Sequence, residues 1–199
     1  MGGHEGCKGL SDLGRRQAEA LRDRLAATRE LQADALFASV LPRAVETAEI
    51  IAPALGGLPV EQDCELCEQH PGEGDGLTWA EFEERYRPDG WRFDPYAPFA
   101  PGAESVAEFQ ARVGRTLTRL AREHEGRTVV VACHGGVIDG SLVAFLGLAH
   151  HGGTVQLRTR NTSLTEWVLL GDEQVHDRPT RWRLARYNDA AHLAAMEHG

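Results

Sequence analysis

Two side chains able to carry positive charge stand where an extended run of this sequence gives way to a helical one. Arg43 lies in Ser39-Val40-Leu41-Pro42-Arg43-Ala44, inside a first helical turn. His134 lies in Cys133-His134-Gly135-Gly136, at the tip of the apolar run Thr128 to Cys133. In an open α/β sheet, ligands collect at the carboxyl ends of strands, where helix N-termini offer free N–H groups and the positive end of the dipole. An arginine fork, an imidazole and exposed amides converging on one place suit a phosphoryl group. Gly135 and Gly136 permit close backbone approach, so Gly135 joins Arg43 as a substrate-binding candidate. Glu68 is the third member. A carboxyl group partly enclosed beside a phosphate has its pKa raised by desolvation and neighbouring negative charge, and can then donate a proton to a leaving alkoxide. Glu68 and His134 are therefore the catalytic candidates. Each residue also has an ordinary reading: Arg43 as a solvated helix-start residue, His134 as a hydrogen-bonded histidine under a turn, and Glu68 as one more solvated acid.

The elements that must position these groups are legible from periodicity. Leu13, Ala18, Leu21 and Leu25 fall on one face of a helix over Leu13 to Ala27, with Ser11 or Asp12 to cap it. Ala33 to Ser39 reads as a buried strand, and Pro42 to Leu55 as a helix with its proline in the first turn. Leu58 to Glu61 and Cys64 to Glu68 read as short extended segments, Pro71 to Gly76 as loop, and Trp79 to Tyr86 as a short helix. Arg87 to Gly102, with four prolines and four aromatic residues, suits an irregular cap; the wider segment 69–103 is taken as that cap and as a candidate pocket wall. Glu104 to Glu125 resumes a helical pattern, with Pro101-Gly102 and the acidic start at Glu104 as its cap. The β-branched run Thr128 to Cys133 is expected to be a strand buried on both faces. A helix over Val137 to Leu148 and two strands, Thr162 to Leu170 and Arg181 to Tyr187, complete the chain, with a turn over Gly171 to Pro179. Strands interleaved with helices imply one α/β domain over residues 1–199, a three-layer α/β/α sandwich on a mostly parallel central sheet.

Composition narrows the function. The 199 residues carry 21 Lys+Arg against 30 Asp+Glu, a formal charge of −9. A nucleic-acid partner would demand a large basic footprint. The longest apolar runs fall far short of the roughly 20 residues needed to cross a bilayer. The first residues resemble neither a secretory signal nor a myristoylation site, so the expected location is cytoplasmic. Composition sets no oligomeric state.

The ordered motifs resemble those of the histidine phosphatase superfamily, the phosphoglycerate mutase-like enzymes. Leu10-Ser11-Asp12-Leu13-Gly14-Arg15-Arg16-Gln17-Ala18 is similar to the family's "LTxxGxxQA", and Ser39 to Ala48 to its "SxLxRAxxTA". Glu68 with Gly72 and Gly76 resembles the segment bearing the proton donor. Pro101-Gly102-Ala103-Glu104-Ser105 with Arg112 resembles the "PGGES" helix entry, and His134-Gly135-Gly136 the second-histidine motif. The resemblance implies phosphate binding by Arg43, proton donation by Glu68, and a small phosphorylated substrate. The reaction it implies is phosphomonoester hydrolysis through a phosphohistidine, with no cofactor and no metal. The short segment between Glu68 and Glu104 favours a phosphatase over a mutase.

The resemblance breaks at the nucleophile. The family's "RHG" triplet, at the end of an opening strand, occurs nowhere in this sequence. The expectation is therefore a fold lacking that first strand and a chain weakly active or inactive by itself, or else a phospholigand-binding pseudoenzyme. His4, followed by Glu5 and preceded by no arginine, is a poor substitute. A zinc site is a further alternative, because His4-x-x-Cys7 and Cys64-x-x-Cys67 offer paired ligands. Against it, an extended Cys64 to Cys67 would point its two sulfurs to opposite faces. His150-His151-Gly152-Gly153 reads as loop, Cys133 as a structural thiol, and the four tryptophans as packing residues.

Overall fold

Ser11 opens the first helix by accepting from the Gly14 amide with its hydroxyl, which satisfies one of the donors a helix start leaves over. Helix α1 runs Asp12–Thr28 and buries Ala18, Leu21 and Leu25 of the face that the sequence periodicity marks, whereas Leu13, in its first turn, is exposed. The computed structural model describes residues 2–87, 89–148, 157–170 and 181–196. His150-His151 and the turn over 171–179 lie outside them. Strand β1 (Ala35–Ala38) leads into α2 (Pro42–Ile51), which a 3₁₀ turn extends over Ala52–Leu55. Then follow β2 (Val60–Gln62), α3 (Trp79–Tyr86), α4 (Val106–Glu123), β3 (Val129–Ala132), α5 (Gly135–Leu146), and the strands β4 (Leu164–Leu170) and β5 (Arg181–Asp189).

β1 is flanked by β2 and β3, both parallel to it, in the order β2-β1-β3. Its alternate side chains divide the layers. Leu36 and Ala38 pack with Leu21, Leu25, Ala48 and Ile51 from α1 and α2, whereas Ala35 and Phe37 pack with Leu120 of α4 and with Leu66. That is the three-layer sandwich. Burying each large aliphatic side chain contributes about 1.5–3 kcal/mol, so the central strand, closed off on both faces, is the thermodynamic anchor. Helices α4 and α5 approach closely through small residues. A Cβ on Gly140 would come within 3.1 Å of Val113, and one on Gly114 within 3.0 Å of Ala144.

β4 and β5 pair antiparallel with each other in a separate two-stranded sheet. Two details depart from expectation. β3 is half-buried over Val129 to Val131 rather than buried on both faces, because among the described residues β1 is its sole strand partner. And α4 is capped by Ser105, whose hydroxyl accepts from the Glu108 amide while Glu108 accepts from the Ser105 amide and hydroxyl. Glu104, expected in that role, is engaged elsewhere.

The β4–β5 hairpin is held by side chains. The Trp182 ring stacks on Phe145 of α5 at 4.0 Å, and Trp167 donates its indole N–H to Ser141 Oγ at 3.0 Å. On the other side, Arg24 of α1 pairs with Asp189 at 2.6 Å and with Glu30 at 2.7 Å, and Arg186 pairs with Glu30 at 2.5 Å. Those arginine hydrogen bonds, Arg24's first, hold the Glu30 carboxyl down at about 2 against the opposing effect of burial. Trp79, read from sequence as a packing residue, is 59% exposed and touches Phe82 edge-on, because α3 lies on the surface of the cap rather than under it.

Candidate active site

Ser39 joins the two strand-to-helix junctions. Its amide extends the ladder to the Ala132 carbonyl at 3.1 Å, and its hydroxyl accepts from the Leu41 amide at the start of α2. The same hydroxyl lies 2.7 Å from His134 Nε2. His134 occupies the N-cap position of α5 and is buried. Burial, with the charges of Arg43 and Arg112 adding to it, pushes its pKa down to about 3, so the imidazole is neutral at ordinary pH. Ser39 opens one of the motifs, but as a small hydroxyl residue after a buried strand it looks in the sequence like any turn residue.

Arg43 is the second residue of α2. Its Nη1 donates to the Gly2 carbonyl at 2.7 Å, and its charge reaches both His134 and the Cys7 thiol. Burial raises the Cys7 pKa, but amide hydrogen bonds from Gly9 and Arg43, with the guanidinium, outweigh it and leave the thiol below its ordinary value.

Glu68 meets the first turn of α5. Its Oε2 accepts from the Gly136 amide at 3.0 Å and its Oε1 from the Gln69 amide at 3.0 Å, an arrangement favoured by the positive end of the helix. A Cβ on Gly136 would stand 2.1 Å from Glu68 Oε1, so any larger residue there would have to push the Glu68 carboxyl aside. Gly135, the glycine assigned to substrate binding, has nothing within 4 Å of the corresponding position. Glu68, His134 and Gly135 thus meet at the N-terminus of α5, while Arg43 stands at the N-terminus of α2, where its charge reaches His134.

What holds the Glu68 loop is a pair the sequence motifs contained without a function. Arg112, on the buried face of α4, donates through Nε and Nη2 to both oxygens of Glu104 at 2.7 Å each. Its remaining donors reach the carbonyls of Glu65 at 2.7 Å, Cys67 at 3.0 Å and Glu68 at 3.3 Å. Burial alone would raise the Glu104 pKa; the Arg112 hydrogen bonds and the His70 amide reverse that and leave it below the usual carboxylate range. The available signal was an arginine in the apolar stripe Phe109, Val113, Thr116, Leu120, a place where a charge persists only if fully paired.

The extended reading of Cys64 to Glu68 is corrected. Cys64–Leu66 is a 3₁₀ turn, because Asp63 caps it through the Glu65 amide and the Cys67 amide closes on the Cys64 carbonyl at 3.0 Å. The two sulfurs consequently point the same way, 3.8 Å apart. The zinc alternative changes its membership as well. His4, Cys64 and Cys67 come together with His70, whereas Cys7 turns toward Arg43. Cys133 packs beside Phe109, Val113 and Val137, and burial pushes its thiol up to about 12.

Helices that start at the carboxyl end of a parallel sheet, with Arg43 and His134 at two of those starts and Glu68 hydrogen-bonded to one, characterise this α/β fold. The chain matches the histidine phosphatase superfamily (branch 1) over residues 1–189 and belongs to that family. It is 31% identical over 190 residues to phosphoglycerate mutase-like protein 4 of Arabidopsis thaliana, covering 92% of this chain and 76% of that protein. It is 33% identical over 202 residues to glucosyl-3-phosphoglycerate phosphatase of Mycolicibacterium vanbaalenii, covering 93% and 85%. Among solved structures, a mycobacterial glucosyl-3-phosphoglycerate phosphatase complexed with VO3 superposes with a TM-score of 0.73 at 30% identity, covering 95% of this chain and 90% of that one. YhfR of Bacillus stearothermophilus superposes with a TM-score of 0.75 at 29% identity, covering 92% and 86%. Among the described residues, no helix is long and apolar enough to cross a membrane.

Proposed function

We propose that this chain carries the phosphate-binding and proton-donating half of a phosphomonoester phosphatase that works through a phosphohistidine. The observation that carries the reading is the meeting of Glu68 with the Gly136 amide beside a buried His134 that feels the Arg43 charge. The family membership and the phosphatase relatives support it. In the reaction, a histidine nitrogen attacks phosphorus in line and the bond to the ester oxygen breaks. Arg43, His134 and helix-end amides stabilise charge on the equatorial oxygens. Protonated Glu68 gives its proton to the departing alkoxide. As carboxylate it then takes one from water, which attacks phosphorus, breaks the P–N bond and releases inorganic phosphate.

The 199 residues contain no Arg-His-Gly triplet, and the reading assigns the nucleophile to a histidine outside them. His4 is a weaker candidate, since its Nε2 lies 3.9 Å from Cys64 Sγ, within the cysteine–histidine cluster. A strand bearing the nucleophile would pair along the side of β3 that carries no strand among the described residues, and its half-buried valines would then be covered. The substrate class is a small phosphorylated metabolite, with the cap residues Trp79, Phe82, Trp91 and Phe99, which line a cleft beside Gln69, setting its shape.

The test compares p-nitrophenyl phosphate hydrolysis by the 199-residue chain and by a chain extended upstream with a strand ending in Arg-His-Gly. Activity restored by the extension and abolished by Glu68→Gln or His134→Ala is the expected result. Vigorous hydrolysis by the unextended chain, unaffected by either substitution, would refute the reading. Vanadate binding without turnover in both chains would favour a phospholigand-binding pseudoenzyme instead.

A further inference from the structure

We infer that His4, Cys64, Cys67 and His70 form a tetrahedral site for a zinc-class divalent cation, structural in role, which adjoins the candidate active site through the Ser39 hydroxyl, 3.4 Å from Cys67 Sγ and 2.7 Å from His134 Nε2. The four ligand atoms lie within 4.8 Å of one another. Cys64 and Cys67 Sγ are 3.8 Å apart and His4 Nε2 is 3.9 Å from Cys64 Sγ. A tetrahedron with Zn–S near 2.3 Å and Zn–N near 2.0–2.1 Å has edges of about 3.8 Å between sulfurs and about 3.6 Å between sulfur and nitrogen. Those two edges stand within about 0.3 Å of that tetrahedron, and the remaining ones, none longer than 4.8 Å, shorten as the side chains close on the ion. Two deprotonated thiols and two neutral imidazoles cancel the charge of the ion, with the thiol protons released to solvent.

The supporting shell is already built. The His70 ring presents Nδ1 at 3.7 Å from Glu104 Oε2, while its Nε2 is buried without a hydrogen-bond partner. A histidine ligand is commonly oriented by a carboxylate on its second nitrogen, and this ring is disposed for that. Glu104 also accepts from the His70 amide at 3.0 Å and is clamped by Arg112, which holds the carbonyls of the cysteine turn. Leu66, within that turn, is fully buried and anchors it. His4 is placed by Asp75, whose two oxygens accept the amides of Gly3 at 2.8 Å, Glu5 at 2.9 Å and Gly6 at 3.1 Å.

Four protein ligands leave no open position for water or substrate, the mark of a structural rather than a catalytic site. The ion would tie the segment around His4 to the loop from Cys64 to His70. Because Glu68 lies between two of the ligands, the ion would also fix the backbone that carries it.

The experiment uses the 199-residue chain, purified reduced and titrated with Zn²⁺ or Co²⁺ alone. One equivalent should bind. The cobalt form should show thiolate-to-metal charge transfer and the intense visible bands of a tetrahedral centre, and the zinc form should melt at higher temperature than the chelated protein. Two single substitutions at exposed ligands, His4→Ala and Cys64→Ser, should each weaken binding by more than the roughly 10–100-fold that loss of an outer-shell partner costs. Cys7→Ser should leave both metal binding and the cobalt spectrum unchanged. Failure of the reduced protein to take up either ion would overturn the proposal, as would binding that survives His4→Ala and Cys64→Ser. Formation of a Cys64–Cys67 disulfide in air by protein that binds neither ion when reduced would overturn it in favour of a redox pair.

Discussion

Replacing Arg112 by methionine keeps most of the side-chain volume on α4 and removes the charge that organises the Glu68 loop. The Arg112 side chain is 5% exposed and that of Glu104 18%, so the change strands a largely buried carboxylate. Breaking such a pair by removing one partner costs about 3–5 kcal/mol, and three carbonyls lose a donor besides. Partial rescue comes from the His70 amide, which still faces Glu104 at 3.0 Å. A net loss of about 4 kcal/mol follows, and at this chain length each kcal/mol moves Tm by about 2–4 °C. The variant should therefore melt about 8–16 °C lower. The cycle with Glu104→Gln separates pairing from packing: the double variant should be at least about 2 kcal/mol more stable than the sum of the singles requires. Urea unfolding followed by circular dichroism measures all four proteins. An Arg112→Met cost below about 1 kcal/mol, or strictly additive singles, would show that the pair does not hold the loop.

Three further outcomes follow from the same structure. Gly136→Ala should displace Glu68, against which its Cβ would press at 2.1 Å, and sharply reduce activity of the extended enzyme. Gly135→Ala, with nothing within 4 Å, should change stability by less than about 0.5 kcal/mol; equal melting losses in the two variants would contradict the assigned packing. Because burial and the Arg43 and Arg112 charges lower the His134 pKa from 6.5 to about 3, the unfolded chain takes up that proton first. Its stability contribution is complete above about pH 6.5 and falls as pH drops toward 3. A His134→Gln protein should show a flatter pH–stability curve between those limits, and an unchanged slope would refute the assignment. Arg24→Ala should loosen the β4–β5 hairpin from α1 and cost about 2 kcal/mol, seen as an earlier transition in tryptophan fluorescence, which Trp167 and Trp182 report.

The sequence by itself determined the elements whose signals are local. Ser11 before an amphipathic run, Pro42 at a helix start, a β-branched run ending in His-Gly-Gly and the Trp79–Tyr86 helix are each written within a few neighbouring residues, and all formed where expected within a residue or two. Arg43 and His134 could be picked out as candidates for the same reason, being held in short motifs at strand-to-helix junctions, whereas Glu68 stands in the loop after the cysteine turn. Tertiary structure alone decided what depends on contacts between distant segments. The cysteine turn starts on the local Asp63 cap but is held in place by Arg112, 45 residues after Cys67, and a pattern of alternating residue types cannot carry that second contact. Glu104 left the helix cap because a guanidinium eight residues later and an amide 34 residues earlier bind it more strongly than the helix end would. The cluster of His4, Cys64, Cys67 and His70 joins residues up to 66 positions apart, and it exists only because the segment around His4 folds back onto Asp75.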